Sequence, residues 1–135
     1  MKWLAIVFGV GVLAIVGLAL AMRLVSSDPA RWHSLPEGLS PGDGMAYAVR
    51  MTEGGPERFA ALDRIARGHA RTQPLAGGVD DGLVTYVTRS AFFGFPDYTT
   101  MSLRDGQIVL YARSRFGKSD LGVNAARLDG WLSQL

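Results

Sequence analysis

An uninterrupted apolar segment near the amino terminus constrains this chain more than any other feature of its sequence. Residues 3–22 are 20 apolar or small residues without one polar side chain. At about 1.5 Å per residue, a helix of that length matches a hydrocarbon core about 30 Å thick. The segment therefore predicts a helix that spans or enters a membrane and takes no part in a soluble core.

This segment has two interpretations, a retained anchor and a cleaved signal sequence. Lys2 supplies the basic start of a signal sequence, and Ala19-Leu20-Ala21 has the small-x-small form of a processing site. The apolar run is longer than the roughly 7 to 15 residues usual in signal sequences, which favours a retained single-pass anchor over residues 1–23. Because Lys2 and the amino terminus on one side are matched by Arg23 and Arg31 on the other, positive charge does not set the sidedness.

Charge and composition exclude several classes of function for the rest of the chain. After Met22 there are 13 basic and 12 acidic residues, so the strong basic excess of a nucleic-acid-binding face is missing. The absence of cysteine excludes disulfides, thiol catalysis and thiolate metal sites. His33 and His69, the only histidines, stand in no metal-ligand spacing. We therefore predict no nucleic-acid partner, no metal and no cofactor.

The stretch after the anchor differs in composition from the remainder of the chain. Residues 24–44 are rich in serine, proline and glycine and have little apolar periodicity, which predicts a linker. Trp32 within it is expected at the membrane interface. A small domain is predicted over residues 45–135.

Apolar periodicity and turn residues predict a mixed domain. Residues 45–51 alternate as a strand does, and Pro56 to Gly68 has the start, apolar stripe and stop of a short helix. A last helix is predicted over 120–134, with Leu121 on its apolar stripe. Further strands are predicted over 70–77, 83–90, 97–104 and 107–114, the last two joined at Asp105-Gly106 with Leu103 opposite Ile108. The predicted fold class is α+β, an antiparallel meander sheet of three to five strands with two helices on one face.

The stretch "SRFGKSDLGVNAAR" at 114–127 carries the densest polar pattern in the chain. A phosphate-binding loop would need glycine five residues before Gly117, where Ala112 stands, so we predict no nucleotide. A serine-hydrolase elbow would need glycine at position 121, one residue before Gly122. Neither catalytic motif is complete.

What remains is a polar flank beside the apolar stripe of the last helix. Ser119 is a good N-cap, and Asp120, Asn124 and Arg127 fall on one side at helical spacing. Gly122 inside a helix would cost about 1 kcal/mol relative to alanine, which suggests a close approach to the backbone there. Two interpretations stay open: a structural network that docks the helix, and a ligand site.

At these residues the chain resembles a known family. The stretches "TRSAFFGFPDYTT" at 88–100 and "RSRFGKSDLGVNAAR" at 113–127 resemble the signature stretches of the bacterial and plastid family named domain of unknown function 1499. The resemblance runs from about residue 45 to the end and implies a small domain attached to or exported across a membrane, on its extracytoplasmic side. It transfers no activity, and the Pro-Asn-Cys-like segment of many members is replaced here by "LPEGLSPGDG". The family's recurrent polar positions fall on Arg89, Asp97, Arg113, Arg115, Ser119, Asp120, Asn124 and Arg127.

Three functions are compatible with these residues. The preferred one is a non-catalytic domain at the outer face of the cytoplasmic membrane that binds an anionic lipid headgroup or an envelope-partner carboxylate. The expected contacts are Arg113, Arg115 and Lys118 beside the start of the last helix. The second is an enzyme with Asp97 and Asp120 as acid and base and Arg89 or Arg115 stabilising negative charge. The third is an accessory subunit whose Tyr/Arg sheet face docks a larger membrane complex.

Overall fold

A computed structural model describes residues 1–135. The apolar segment forms one helix, α1 (Lys2–Leu24), none of whose residues is buried against the rest of the chain. Its mean hydropathy of 2.8 and its length suit a membrane-spanning helix, and an amino-terminal signal sequence shares both properties. The predicted helix is therefore present, and it is compatible with either an anchor or a signal sequence.

One antiparallel sheet forms the centre of the domain. Its strands are β1 (Gly42–Asp43), β2 (Tyr47–Glu53), β3 (Thr72–Gly78), β4 (Leu83–Arg89), β5 (Pro96–Arg104) and β6 (Gln107–Ser114). Their order in the sheet is β1-β2-β6-β5-β4-β3, so only β3 to β6 form a meander. The α+β class is confirmed, but the predicted three to five strands are too few. The two residues of β1 are too short for an alternating pattern to reveal them.

The remaining elements are three helices and one short turn of 3₁₀-helix. The helices are α2 (Pro29–Trp32), α3 (Pro56–Gly68) and α4 (Val123–Leu132), and the 3₁₀ turn is Val79–Asp81. The hairpin between β5 and β6 has the predicted register, with Leu103 opposite Ile108. Asp105 and Gly106 both adopt positive φ, which is the conformation that this turn requires.

The inner face of the sheet carries α3 and α4. Phe59 and Leu62 of α3 and Leu128 and Trp131 of α4 are fully buried against strand residues such as Leu110. Burial of each such side chain contributes about 1.5–3 kcal/mol to the hydrophobic free energy of folding. This shared core fixes where α4 begins, and therefore where its polar flank meets the sheet.

The outer face of the sheet is covered in part by the residues predicted to form a linker. Trp32 stacks on Tyr98, with ring centroids 4.0 Å apart and an interplanar angle of 14°. Ser27 Oγ lies 2.8 Å from the Tyr98 hydroxyl, and His33 Nδ1 lies 2.9 Å from Thr85 Oγ1. Trp32, expected at the membrane interface, packs on the sheet instead, so residues 26–33 form a strap across the outer face.

The two ends of the sheet differ in what they contact. We call proximal the end that meets α1; it comprises residues 69–71, 89–97 and 115–127 together with Arg23 of α1. The distal end comprises residues 53–58, 79–82 and 104–106. Most of the predicted site residues lie at the proximal end.

Candidate functional site

A buried polar network joins the start of α4 to the inner face of the sheet. Arg127 Nη1 donates to Asn124 Oδ1 at 2.7 Å, and Arg127 Nη2 donates to Asp97 Oδ2 at 2.8 Å. Asn124 Nδ2 donates in turn to Asp120 Oδ2 at 2.6 Å and to Ser114 Oγ at 3.0 Å. Asn124 is fully buried and Arg127 nearly so. The structure therefore brings Asp120, Asn124 and Arg127, which their spacing placed on one flank, together with Asp97 of β5 in one network.

The backbone leading into α4 differs from the prediction in three respects. The helix begins at Val123 rather than at 120, with Gly122 at the N-cap position. The side chain that caps the start of α4 is Asp120 and not Ser119. The Asp120 carboxylate accepts hydrogen bonds from the backbone N–H of Gly122 at 2.9 Å and from that of Asn124 at 3.1 Å. Leu121, expected on the apolar stripe, is 92% exposed. A pair of left-handed residues, Leu121 and Gly122, turns the chain before the helix can start.

The close backbone approach expected at Gly122 occurs at Gly94. A Cβ atom on Gly122 would meet nothing within 4 Å, and its φ of +80° is what requires glycine. A Cβ atom on Gly94 would lie 2.6 Å from Cγ of Arg23. The loop 90–95 therefore accommodates the last turn of α1 through a glycine.

Arg113 and Arg115 act on the outer face, away from α4. Arg113 is buried and donates to the backbone oxygen of Trp32 and, at 2.8 Å, to Thr100 Oγ1. Its burial lowers the pKa of its guanidinium to about 10, so it stays charged at neutral pH. Arg115 donates to the backbone oxygen of Ser26 at 2.8 Å. Both arginines hold the strap, whereas Lys118 and Ser119 are exposed.

Arg89 holds the end of α1. Its Nη1 donates to the backbone oxygens of Met22 at 2.8 Å and Gly94 at 3.0 Å, and its Nη2 donates to Val25 at 2.7 Å. Arg23 reciprocates with a 2.9 Å hydrogen bond to the oxygen of Phe92. The carboxyl end of α1 is thereby fastened to the proximal end of the sheet from both sides.

Sequence reasoning did not find Arg71 and His69. They line a cavity of about 450 Å³ together with Arg89, Arg127 and Asp97. Burial, followed by the charges of Arg127 and Arg71, lowers the pKa of His69, which keeps the imidazole neutral at pH 7. These residues come from elements far apart in the chain, so no local motif marks them.

Exposed apolar side chains gather at the same end. Phe92, Leu121 and Val123 are 68%, 92% and 52% exposed. Phe92 continues into a series of contacting rings through Phe93 and Phe95, with adjacent centroids 4.9 and 5.3 Å apart. Leu121 and Val123 flank the start of α4. The proximal end therefore has an apolar rim beside the end of α1.

Charge is divided between the two ends of the sheet. The two proximal carboxylates, Asp97 and Asp120, are bound within the polar network, whereas most proximal basic groups have no carboxylate partner. The basic residues at the proximal end are Arg23, Arg71, Arg89, Arg115, Lys118 and Arg127; the acidic residues at the distal end are Glu53, Glu57, Asp80, Asp81 and Asp105. With only Arg58 and Arg104 to offset the distal acids, the positive potential is concentrated where the apolar rim lies.

The two alternative functions meet specific obstacles in this geometry. Asn124 and Arg127 lie between the two carboxylates, Asn124 donating to Asp120 and Arg127 donating to Asp97. Acid/base catalysis shared by Asp97 and Asp120 stays a prediction. The Tyr/Arg sheet face around Tyr98 and Arg113 is occupied by the chain's own strap. A partner could reach that part of the face only by displacing residues 26–33.

Comparison with known proteins gives a family match without an activity. A family model described as "Protein of unknown function (DUF1499)" matches residues 26–135, which includes the strap. A solved structure of a DUF4468 family protein from Bacteroides ovatus ATCC 8483 is similar at 10% identity and a TM-score of 0.36. That alignment covers 65% of this chain and 63% of the other, so the chain spans less than two thirds of it. None of the curated proteins matches.

Proposed function

Because the chain belongs to the DUF1499 family of proteins of unknown function, its activity has to be argued from its own geometry, and we propose a membrane-anchored, non-catalytic binding module. In this proposal α1 is retained as a single-pass anchor in the cytoplasmic membrane. The domain lies on the extracytoplasmic side, with its proximal end against the anionic surface of the bilayer. Its ligands are anionic lipid headgroups.

The observation that carries this proposal is the coincidence of three features at one end of the domain. Arg89 and Arg23 fasten that end to the last turn of α1. Phe92 and Leu121 expose apolar side chains there, and such side chains favour the headgroup region. A retained α1 would therefore hold an apolar rim and a basic surface at the depth where each is most favourable.

The separation of basic and acidic residues also supports an orientation with the proximal end toward the membrane. Each lysine or arginine near an anionic membrane surface contributes about 1 kcal/mol of attraction, which falls off within a Debye length. Arg71, Arg115 and Lys118 lie at the proximal end, while Asp80 and Asp105 lie at the distal end. The domain would be attracted at one end and repelled at the other, so the field of the membrane would orient it.

The depth of the proximal end can be measured with single-cysteine variants, because the chain has no cysteine of its own. Leu121→Cys carrying an environment-sensitive fluorophore should emit at shorter wavelength in phosphatidylcholine vesicles with 30% phosphatidylglycerol, and lipid-borne quenchers should quench it. Asp105→Cys at the distal turn is the matched control and should report water in the same full-length protein. High salt should weaken the Leu121 signal because it screens the attraction. Equal exposure of the two labels to water would refute docking at the membrane surface.

Retention and sidedness of the anchor form a separate prediction. The full chain should fractionate with membranes and resist extraction by carbonate or high salt, because residues 3–22 of α1 have only apolar or small side chains. A phosphatase fused after Leu135 should be active, and a fluorescent protein that matures only in the cytoplasm should stay dark in the same position. A soluble fragment beginning at Met22 would establish a cleaved signal sequence, and the opposite pair of fusion results would put the domain in the cytoplasm.

A further inference from the structure

The cavity lined by Arg71 has a composition suited to a bound anion. This cavity of about 450 Å³ lies between the end of β4, the residues before β3 and the first turn of α4. Three arginines line it, Arg71, Arg89 and Arg127, against one carboxylate, Asp97. Since Asp97 is already paired with Arg127, the remaining positive charge has no counterion within the protein.

Arg71 is the group best placed to hold such an anion. Its Nε donates to the backbone oxygen of Arg89 at 3.0 Å, and its two terminal nitrogens donate no hydrogen bond within the protein. The single contact orients the guanidinium and leaves free its two terminal NH₂ groups, which can form a fork for phosphate. Arg71 also has a left-handed backbone, with φ of +55°, a conformation uncommon outside glycine, asparagine and aspartate. The N–H of Arg89 also donates to the Arg71 oxygen at 2.9 Å, so Arg71 is tied to the end of β4 through both its backbone and its side chain.

A second cavity extends the basic surface toward the membrane. This cavity, of about 250 Å³, shares Arg71 and Arg89 with the first and reaches Arg23 in the last turn of α1. Two members of the apolar rim lie at the other side of the first cavity, where Val123 lines it and Leu121 lies just before it in the chain. A ligand in the first cavity would therefore have cationic groups around its head and exposed apolar side chains beside it.

We propose that the Arg71 cavity binds the phosphate of an anionic phospholipid, with Arg71 as the principal contact and the acyl chains leaving over Val123 and Leu121. The inference rests on the proposed function, because only a domain at the membrane surface brings this cavity to lipid. Arg127 supplies charge from the floor of the cavity while it stays bound to Asp97. The shared chemistry is a phosphate group, and the apolar rim favours a lipid over free phosphate.

His69 provides a readout inside the cavity that a purely structural role of Arg71 would not move. Its pKa is lowered by burial and by the neighbouring Arg127 and Arg71. An anion bound between those arginines would offset their charge and favour the protonated imidazole, which should raise the pKa of His69. Asp97 and Arg89 also line the cavity and face the same space as His69.

The test uses the full chain in dodecyl maltoside micelles, which contain no phosphate. Dihexanoyl-phosphatidylglycerol, inorganic phosphate and uncharged dihexanoylglycerol are titrated separately, and NMR follows the His69 ring and the Arg71 Nε–H signal. Phosphatidylglycerol should shift both signals saturably, at least tenfold more tightly than inorganic phosphate, and dihexanoylglycerol should shift neither. Arg71→Gln should weaken the lipid affinity at least tenfold, whereas Arg58→Gln, an exposed arginine at the distal end, should leave it unchanged.

The outcomes separate this inference from the function on which it rests. If the Leu121 label is buried in lipid but phosphatidylglycerol moves neither His69 nor Arg71, the cavity is not a lipid site and surface docking stands. If both signals shift while the Leu121 label reports water, docking fails and the cavity binds phosphate independently of the membrane. Equal affinity for inorganic phosphate and phosphatidylglycerol would overturn the assignment to lipid. The wild-type titration decides these points even if Arg71→Gln fails to fold.

Discussion

Arg127→Ala should lower the free energy of unfolding by about 3–5 kcal/mol, because it removes one partner of a buried ion pair. The Arg127 side chain is 5% exposed and that of Asp97 is 14% exposed. Without Arg127 the Asp97 carboxylate stays largely out of water with no counterion, and Asn124 Oδ1 loses its donor. The loss should be global, since this network docks α4 and its core residues Leu128 and Trp131 onto the sheet.

A double-mutant cycle distinguishes a network from a general loss of packing. Asp97→Ala combined with Arg127→Ala should cost at least about 1 kcal/mol less than the sum of the two single changes, because the double variant leaves no unpaired charge. Urea denaturation of the full chain in detergent, followed by circular dichroism, measures each free energy. An additive result would show that the two side chains do not act as a pair.

Arg50→Ala is the matched control for burial. Arg50 binds two carboxylates, at 2.6 Å from Asp43 and 2.6 Å from Asp129, but those carboxylates are more than half exposed. Exposed ion pairs contribute about 0–1 kcal/mol, because water screens them and the side chains lose entropy. If Arg127→Ala proves no more costly than Arg50→Ala, burial of the network adds nothing to stability.

Trp32→Ala should release the strap from the outer face and cost about 2–3 kcal/mol, less than full burial of a tryptophan contributes because Trp32 is half-buried. The substitution removes the ring that stacks on Tyr98, and it thereby weakens the hydrogen bond that Arg113 donates to the backbone oxygen of residue 32. The substitution should destabilise the attachment of the strap more than it destabilises the whole domain, since the inner core contains no strap residue.

Limited trypsin digestion measures that release directly. Cleavage after Arg31 should be at least tenfold faster in Trp32→Ala, since each loss of about 1.4 kcal/mol in local stability raises the open population tenfold. Trp32→Phe retains an aromatic stack and should stay close to wild type. Trp3→Ala removes a tryptophan that is 80% exposed on α1 and should change nothing. Unchanged cleavage in Trp32→Ala would mean that the strap does not depend on the stack.

The elements that local pattern predicted are those with a strong period or a specific turn. The helix at Pro56–Gly68 has proline at its first position and one apolar stripe, and the structure bears out both bounds. The hairpin at Asp105-Gly106 could be placed to the residue, because only a few residue types tolerate positive φ at both central positions. β1 escaped notice because pairing of Gly42 and Asp43 depends on β2, not on their own pattern.

The candidate site likewise contains residues that local pattern predicts and residues whose contacts depend on distant parts of the chain. Asp120, Asn124 and Arg127 could be grouped from sequence because helical spacing places them on one flank, although the first turn was assigned two to three residues too early. The sequence favours a ligand-binding role for Arg113 and Arg115, because it does not distinguish an arginine that binds an anion from one that binds a backbone carbonyl. The carbonyls that they bind belong to Ser26 and Trp32, about 80–90 positions away.

Local sequence pattern predicts the apolar amino-terminal helix, the α+β class, the hairpin register and the polar flank of α4, since each depends on neighbours within a few positions along the chain. Three features depend on long-range packing: residues 26–33 form a strap, Arg89 fastens the end of α1, and Arg71 and His69 share a cavity with Arg127. These contacts join segments from opposite ends of the chain, and several end on backbone oxygens, which every residue carries. No side-chain pattern encodes such an acceptor, so its partner is defined only when the sheet, the helices and the strap have packed together.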